Sequence, residues 1–327
     1  MGTYILKRLL AMIPTLIIIS VVVFILIQLP PGDIISASLA SLQQQGMEVS
    51  TEQIAALRAQ YNLDLPMPMQ YLHWILNFVQ GDMGYSIKYE QPVNTLLWER
   101  LGYTIIIAVA SLLFTWVLAI PIGVYSAVKQ YSVGDYLFTV IGLLGLATPS
   151  FMLALILMYC AYTWFGISVG GLFSPEYADS DWSFARFVDL LNHIWIPMIV
   201  LGTAGTASIM RVMRANLLDE LGKPYVVTAR AKGVRPLKLI FKYPVRIAIN
   251  PFISTIGWLL PTLISGEAIV SIVLNLPTTG PLLLQALLSQ DMFLAGSFLM
   301  LLSILTVFGM LLSDILLAAV DPRIRYE

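Results

Sequence analysis

The sequence predicts an all-α fold: a polytopic membrane protein with six transmembrane helices, both termini cytoplasmic, and a periplasmic cap between helices 1 and 2. Three observations carry that expectation. The 327 residues are 58% hydrophobic and only 11% charged, with a mean hydropathy of +0.82, where a soluble domain carries about 25% charged residues. Apolar windows recur along the chain near the roughly 20 residues that a helix needs to cross a bilayer core. Lys and Arg gather in alternate connections between those windows, as cytoplasmic loops require. A surface this poor in charge could not stay wet, which excludes a soluble globule.

The first window, Leu9–Leu29, follows Lys7 and Arg8 and meets no further charge before Asp33. It exceeds the roughly 7–15 residues of a signal-peptide core, and Leu29-Pro30-Pro31-Gly32 offers no small-x-small cleavage site, so it reads as an uncleaved anchor. Residues 1–30 thus hold the N-terminus and the first span, 31–100 the external cap, and 101–327 the transmembrane core with its loop over 211–246. In the cap, Thr51–Tyr61 is helix-like, and Tyr71, His73, Trp74 and Phe78 form an aromatic cluster. The runs Leu63-Asp64-Leu65-Pro66 and Gly81-Asp82-Met83-Gly84 read as turns. Further spans fall at about Tyr103–Val128, Tyr136–Phe165, His193–Met210, Ile247–Leu274 and Ala295–Ala319. Pro121, Pro149, Pro197 and Pro261 lie inside them, which membrane helices tolerate when neighbours satisfy the freed backbone groups.

With the N-terminus inside, Lys7, Arg8, Lys129, Arg323 and Arg325 lie on the cytoplasmic side, with nine more bases between the fourth and fifth spans. Arg58, Lys88, Arg100 and Arg186 remain outside, giving fourteen bases against four. That imbalance fixes the orientation. The second outside loop, about 166–192, is Gly-rich and then acidic, with Glu176, Asp179, Asp181 and Asp189.

The nine-base connection, Arg211 to Arg246, contains only two acids, Asp219 and Glu220. Tyr225 to Lys232 has no Gly or Pro and reads as a helix. Gly233 suits a left-handed helix end, and Pro236 suits the first turn of a second helix. There Leu237, Ile240 and Phe241 share one face, while Lys238 and Lys242 share another. The spacing predicts a helix–turn–helix lying along the cytoplasmic membrane face, stiff enough to transmit force. The bases alone would serve equally to enforce orientation or to touch anionic lipid.

The run Thr228-Ala229-Arg230-Ala231-Lys232-Gly233, with Arg246 and Pro251 thirteen and eighteen residues past the glycine, resembles the EAA loop of bacterial ABC importer permeases. More narrowly, the chain is similar to the B-type permease of the oligopeptide, dipeptide and nickel systems. Matching runs extend over nearly the whole length. They include Gln70-Tyr71-Leu72, Glu99-Arg100-Leu101, Ile120-Pro121-Ile122-Gly123-Val124, Pro149-Ser150-Phe151 and the terminal Asp321-Pro322-Arg323-Ile324-Arg325. The resemblance implies that Thr228, Ala229, Arg230, Ala231, Lys232, Gly233 and Pro236 belong to a coupling element docked on a cytoplasmic ATPase subunit. It also implies a second homologous permease subunit, a second ATPase, an external solute-binding protein and the lipid bilayer of the inner membrane as partners, and no nucleic acid. Two departures stand out: Val227 occupies the namesake glutamate position, and Tyr243-Pro244 replaces a frequent histidine.

Glu267 and Asp314 are the acids within the expected spans, and intramembrane carboxylates are functional candidates by default. Glu267, Pro149 and Ser150 are candidates for the translocation path, with a structural hydrogen bond or a simple kink as the plain alternatives, and Asp314 reads as structural. The small residues Gly202, Ala204, Gly205, Ala207 and Ser208 make the fourth span thin enough for close packing. Cys160 reads as a small buried apolar residue, and His73 and His193 have no ligand-spaced companions for a metal. Leu221-Gly222-Lys223-Pro224 lacks the upstream glycine and the hydroxyl of a phosphate-binding loop. No cofactor is therefore expected in this chain, with ATP and magnesium bound by partner subunits. The expected function is a non-enzymatic permease subunit of an ATP-driven importer for peptides or oligosaccharides, coupled through residues 225–242. The alternative is an ion-coupled secondary transporter using Glu267; an intramembrane hydrolase is disfavoured because neither histidine sits well inside a span.

Overall fold

Long apolar windows need every backbone polar group satisfied within the segment, and the helix is the open-ended way to do so. The computed structural model describes residues 2–29, 58–59, 63–86, 88–166, 170–178, 180–252 and 268–320. Its helices are α1 (Gly2–Gln28), α2 (Met67–Val79), α3 (Val93–Val128), α4 (Val133–Ala147), α5 (Ser150–Phe165) and α6 (Phe184–Leu221). Then come α7 (Pro224–Ala231), α8 (Pro236–Lys242), α9 (Pro244–Ala248), α10 (Ala268–Val273), α11 (Thr279–Leu288) and α12 (Met292–Val320). The all-α expectation needs one amendment. Tyr85–Ser86 (β1) and Gln91–Pro92 (β2) pair antiparallel, with Tyr85 opposite Pro92, because left-handed Gly84 (φ 86°) turns the chain and side chains from α12 hold it.

Contacts divide the chain into two units, residues 1–102 with 278–311, and residues 103–277 with 312–327. In the first, Val23, Phe24, Trp74, Phe78, Leu97 and Phe298 share one buried core. Phe24 meets Tyr71 and Trp74 at ring distances of 5.5 and 5.9 Å, and Trp74 meets Phe78 at 6.0 Å. Of the four aromatic-cluster residues read from the sequence, Tyr71 and Trp74 meet Phe24 and Phe78 meets Trp74, while His73 is exposed. The hairpin is pinned by a buried bond from Ser86 Oγ to Asp291 Oδ2 (2.5 Å) and one from Ser297 Oγ to Met83 O (3.1 Å). Asp291 also caps α12 by accepting from Leu294 N at 3.1 Å.

In the second unit α6 is the spine. The sequence confines this span to His193–Met210, yet the helix runs 38 residues. Beyond that window Leu190, Met213 and Leu217 are buried, so tertiary packing carries the helix past its apolar stretch. α4 and α5 lie along it in turn. Asp135 bonds Arg214, a Cβ on Gly145 would stand 2.7 Å from Thr203 Cγ2, and Ala154 and Ala161 join Leu190, Ile194 and Val200 in one core. The small residues of α6 permit this closeness: a Cβ on Gly202 would meet Phe114 at 2.5 Å, and Thr115 Oγ1 donates to Gly202 O at 3.1 Å.

Among the described residues, four helices are long and apolar enough to cross a membrane: Arg8–Gln28, Val93–Val128, Phe184–Leu221 and Met292–Leu316. The third sequence window is not straight. α4 and α5 meet at 103°, because Pro149 removes a donor and begins a new helix, so the pair counts as at most one further span. Most of the fifth window lies outside the described residues, which take up its ends as α9 and α10. Of the Thr51–Tyr61 stretch only residues 58–59 are described, and the terminal 321–327 run lies outside as well. Cys160 is half-buried rather than fully inside.

Candidate functional site

The elbow after α6 is built by three prolines and one glycine. Pro224, Pro236 and Pro244 each open a helix, where a missing N–H leaves nothing unsatisfied. Between α7 and α8, Gly233 takes φ +74°. Its N–H bonds Arg230 O at 3.0 Å and the Val234 N–H bonds Ala229 O at 3.3 Å, which closes the two carbonyls that a left-handed cap is meant to close. A Cβ on Gly233 would touch nothing within 4 Å, so only the backbone conformation selects glycine there.

A small apolar core locks the two helices together: Val226, Ala229 and Leu239 are buried, with Tyr225, Val234, Ile240 and Tyr243 packed around them. The sequence reading groups Leu237, Ile240 and Phe241 on one face without naming the packed side; Leu237 and Phe241 are 73% and 60% exposed, and Leu239 is the residue of α8 that turns inward. The helix is only seven residues long, and the neighbour that decides its inner face is α7, which periodicity within α8 cannot see. Tyr225 Oη donates to Glu220 Oε2 at 2.5 Å and ties α7 to the end of α6. Burial, and then that bond to Glu220, push the phenol well above its ordinary value near 10. α9 packs back on α6 through Val245 and Ala248, which share a core with Met213 and Leu217.

The outer surface of the elbow therefore presents Val227, Leu237 and Phe241 among exposed Arg230, Lys232, Arg235, Lys238 and Lys242. Apolar anchors inside a charged rim are the anatomy of a protein contact. Of the named elbow residues, Ala229 is buried, while Thr228, Arg230, Ala231, Lys232, Gly233 and Pro236 are exposed. Thr228 Oγ1 bonds back to Pro224 O at 2.8 Å.

The structure does not gather the other sequence candidates here. Pro149 is exposed and Ser150 half-buried at the α4–α5 break. That break follows Gly145, which faces Thr203, so it stands about eleven residues along α6 from Arg214, roughly 16 Å. Glu267 lies outside the described residues, and Asp314 is half-buried in α12.

Two polar clusters escaped the sequence reading. Asp135, 2% exposed, accepts from Arg214 Nε (3.1 Å) and NH2 (3.0 Å) and from Tyr131 N (2.9 Å). Ser132 three residues before it caps α4, a Ser-x-x-Asp signal that was there to be read. Arg186, expected only as an outside base, is 6% exposed. Its guanidinium lies 4.6 Å from the Phe173 ring and 5.0 Å from Trp182, and it donates to Tyr103 Oη (3.2 Å), Ala178 O (3.1 Å) and Ser180 O. Nearby, Asp189 accepts from Ser174 N and Oγ, both at 2.7 Å, and His193 Nδ1 pairs with Asp189 O at 2.8 Å. No periodic pattern marks these residues, because most of their partners lie in the irregular loop before α6, at Phe173, Ser174, Ala178, Ser180 and Trp182, with Tyr103 added from α3.

Two family models together match nearly the whole chain. The family model described as "Binding-protein-dependent transport system inner membrane component" matches residues 119–326, and its N-terminal companion matches residues 1–108. The chain is 34% identical over 331 residues to the oligopeptide transport system permease protein AppB of Bacillus subtilis, covering all of both chains. It is 33% identical over 327 residues to the glutathione transport system permease protein GsiC of Pectobacterium atrosepticum, again covering all of both. It is 32% identical over 340 residues to the dipeptide transport system permease protein DppB of Escherichia coli K12, covering 99% of each.

Proposed function

We propose that this chain, which belongs to the family of binding-protein-dependent transport system inner membrane components, forms half of the passage through which an ABC importer takes up short peptides. It is a multi-pass inner-membrane permease and not an enzyme. The peptide class rests on the relatives, whose names specify oligopeptides, dipeptides and glutathione. Those names give no support to the oligosaccharide alternative.

The observation that carries the mechanism is the elbow: two short helices with their own core, cross-linked to α6, and an exposed apolar and basic outer face. An ATPase subunit seated on Val227, Leu237 and Phe241 would push the elbow as a solid piece. The push would pass along α6, which is continuous for 38 residues and packed against both α4 and α5. Six spans, both termini cytoplasmic and a cap over 31–100 complete the reading; the charge distribution supports the orientation. A second permease completes the passage, a solute-binding protein delivers the peptide, and two ATPases supply nucleotide, magnesium and force. This chain contributes no group to ATP hydrolysis.

The experiment is uptake of a labelled dipeptide by cells holding the complete transporter. Uptake should survive a protonophore and stop when ATP is depleted. The opposite pattern would replace this reading with ion-coupled transport. Cysteine at Leu237 should cross-link to an ATPase subunit, and failure there would remove the elbow's role while leaving the transport class untouched.

A further inference from the structure

α2 is apolar over most of its circumference. Tyr71, Trp74 and Phe78 pack inward against α1 and α12, whereas Met69, Leu72, Leu76 and Val79, spaced three and four apart, form a second apolar stripe that is exposed. His73, Asn77 and Gln80 occupy the narrow remaining arc, and the helix carries no Asp, Glu, Lys or Arg. Such a helix lies in a membrane interface rather than in water.

Its depth can be read from α1. The membrane-length part of α1, Arg8–Gln28, is 21 residues, or about 31 Å. Tyr71 of α2 bonds Ser20 at 2.8 Å, and Gln70 bonds Gln28 at 2.9 Å. α2 therefore rests against the stretch between Ser20 and the end of that span, about 12 Å along the axis. Between the two helices runs a groove of about 440 Å³, lined by Val21, Phe24, Ile25, Leu29, Met67 and Pro68. Among the described residues its polar neighbours are Gln28 and Tyr71, which bond Gln70 and Ser20. The groove continues the exposed apolar surface of α1 formed by Val21, Val22, Ile25 and Leu26.

We propose that this groove is a binding site for a phospholipid acyl chain from the leaflet surrounding the C-terminal half of α1. A groove at hydrocarbon depth, open to the lipid-facing surface of a span and lined almost wholly by apolar side chains, takes a hydrocarbon chain in preference to water or peptide. The bound lipid fastens α2 to α1 and fixes the level at which α2 lies.

The test uses the complete transporter reconstituted with a phosphatidylethanolamine whose acyl chain bears a diazirine. After irradiation, label should concentrate on Ile25, Met67 and Tyr71 relative to Leu10 and Ile13, which face lipid on the same helix. Ile25→Trp and, separately, Met67→Trp fill the groove from its two sides. Each should lower labelling of the groove peptides by roughly tenfold, the effect of about two lost methylene contacts, with Leu10 and Ile13 labelled as before. Two variants acting alike, with an internal reference on α1, separate groove filling from misfolding. Label spread evenly along α1 would mean ordinary surrounding lipid and would overturn the proposal. So would cross-linking of Met67→Cys to the second permease with no lipid label on Met67, because the groove would then be a subunit contact.

Discussion

The two ends of α6 use charge in opposite ways. The first turns of α6 bury Arg186 and Asp189, whose hydrogen bonds go back to the preceding loop at Ala178, Ser180 and Ser174 and to Tyr103. The elbow that leaves α6 exposes Arg230, Lys232, Arg235, Lys238 and Lys242, and the residues that it buries, among them Val226, Ala229, Leu239, Val245 and Ala248, are apolar. A desolvated charge must be hydrogen-bonded, so it becomes scaffolding; a solvated charge is free to meet a partner. The number of charges in a loop says little about which of the two it is.

The largest expected effect tests the elbow's geometry. A left-handed conformation costs a non-glycine residue about 1–2 kcal/mol, and more when it is β-branched. Gly233→Val should therefore reduce peptide uptake to background while the protein remains inserted, as membrane fractionation would show. Normal import by that variant would leave the elbow without a coupling role. Next, Leu237→Ala combined with Phe241→Ala should weaken ATPase binding by roughly tenfold to a hundredfold, measured by co-purification across ATPase concentrations. The melting temperature should not move, since both side chains are exposed; a large drop would make them core residues and erase the contrast.

The opposite result is expected at the start of α6. Arg186→Met strands the carbonyls of Ala178 and Ser180 and removes two ring contacts, for a loss of about 2–3 kcal/mol in thermal unfolding of the purified complex. Lys238→Met, at an exposed elbow base, should change stability by less than about 0.5 kcal/mol. Equal effects would break the comparison. The smallest effect sharpens it. The Tyr225 phenol is raised above its ordinary value near 10, so the folded state holds that proton more tightly than the unfolded state. Its contribution is complete below pH 10 and is lost as pH climbs toward the folded value. Tyr225→Phe should lose about 1 kcal/mol at neutral pH and show a weaker decline in stability above pH 10 than the parent.

Much of the elbow was legible because its signals are local. Pro224, Pro236 and Gly233 act through their own backbone, and the helices start and stop accordingly. The inward turn of Leu239 was not legible, since α7 decides it. In the same way, Pro149 announces a break, but the 103° angle depends on how α4 and α5 each settle against α6. The sequence placed the start of the second span near Tyr103, whereas α3 begins at Val93, because Leu96, Leu97 and Leu101 bury one side of a stretch that also carries Glu99 and Arg100.

Taken alone, the sequence determined that the chain is a membrane protein with several long apolar helices, and where the elbow bends. Each of those follows from hydropathy or backbone restrictions summed over a few consecutive residues. Only the tertiary structure decided that Arg186, Asp189 and Asp135 are buried and that α2 carries a second apolar stripe with a groove beside α1. Burial and pairing depend on how an irregular loop folds back and on side chains such as Tyr103 and Arg214, about eighty residues from their partners, which periodicity within one helix does not encode.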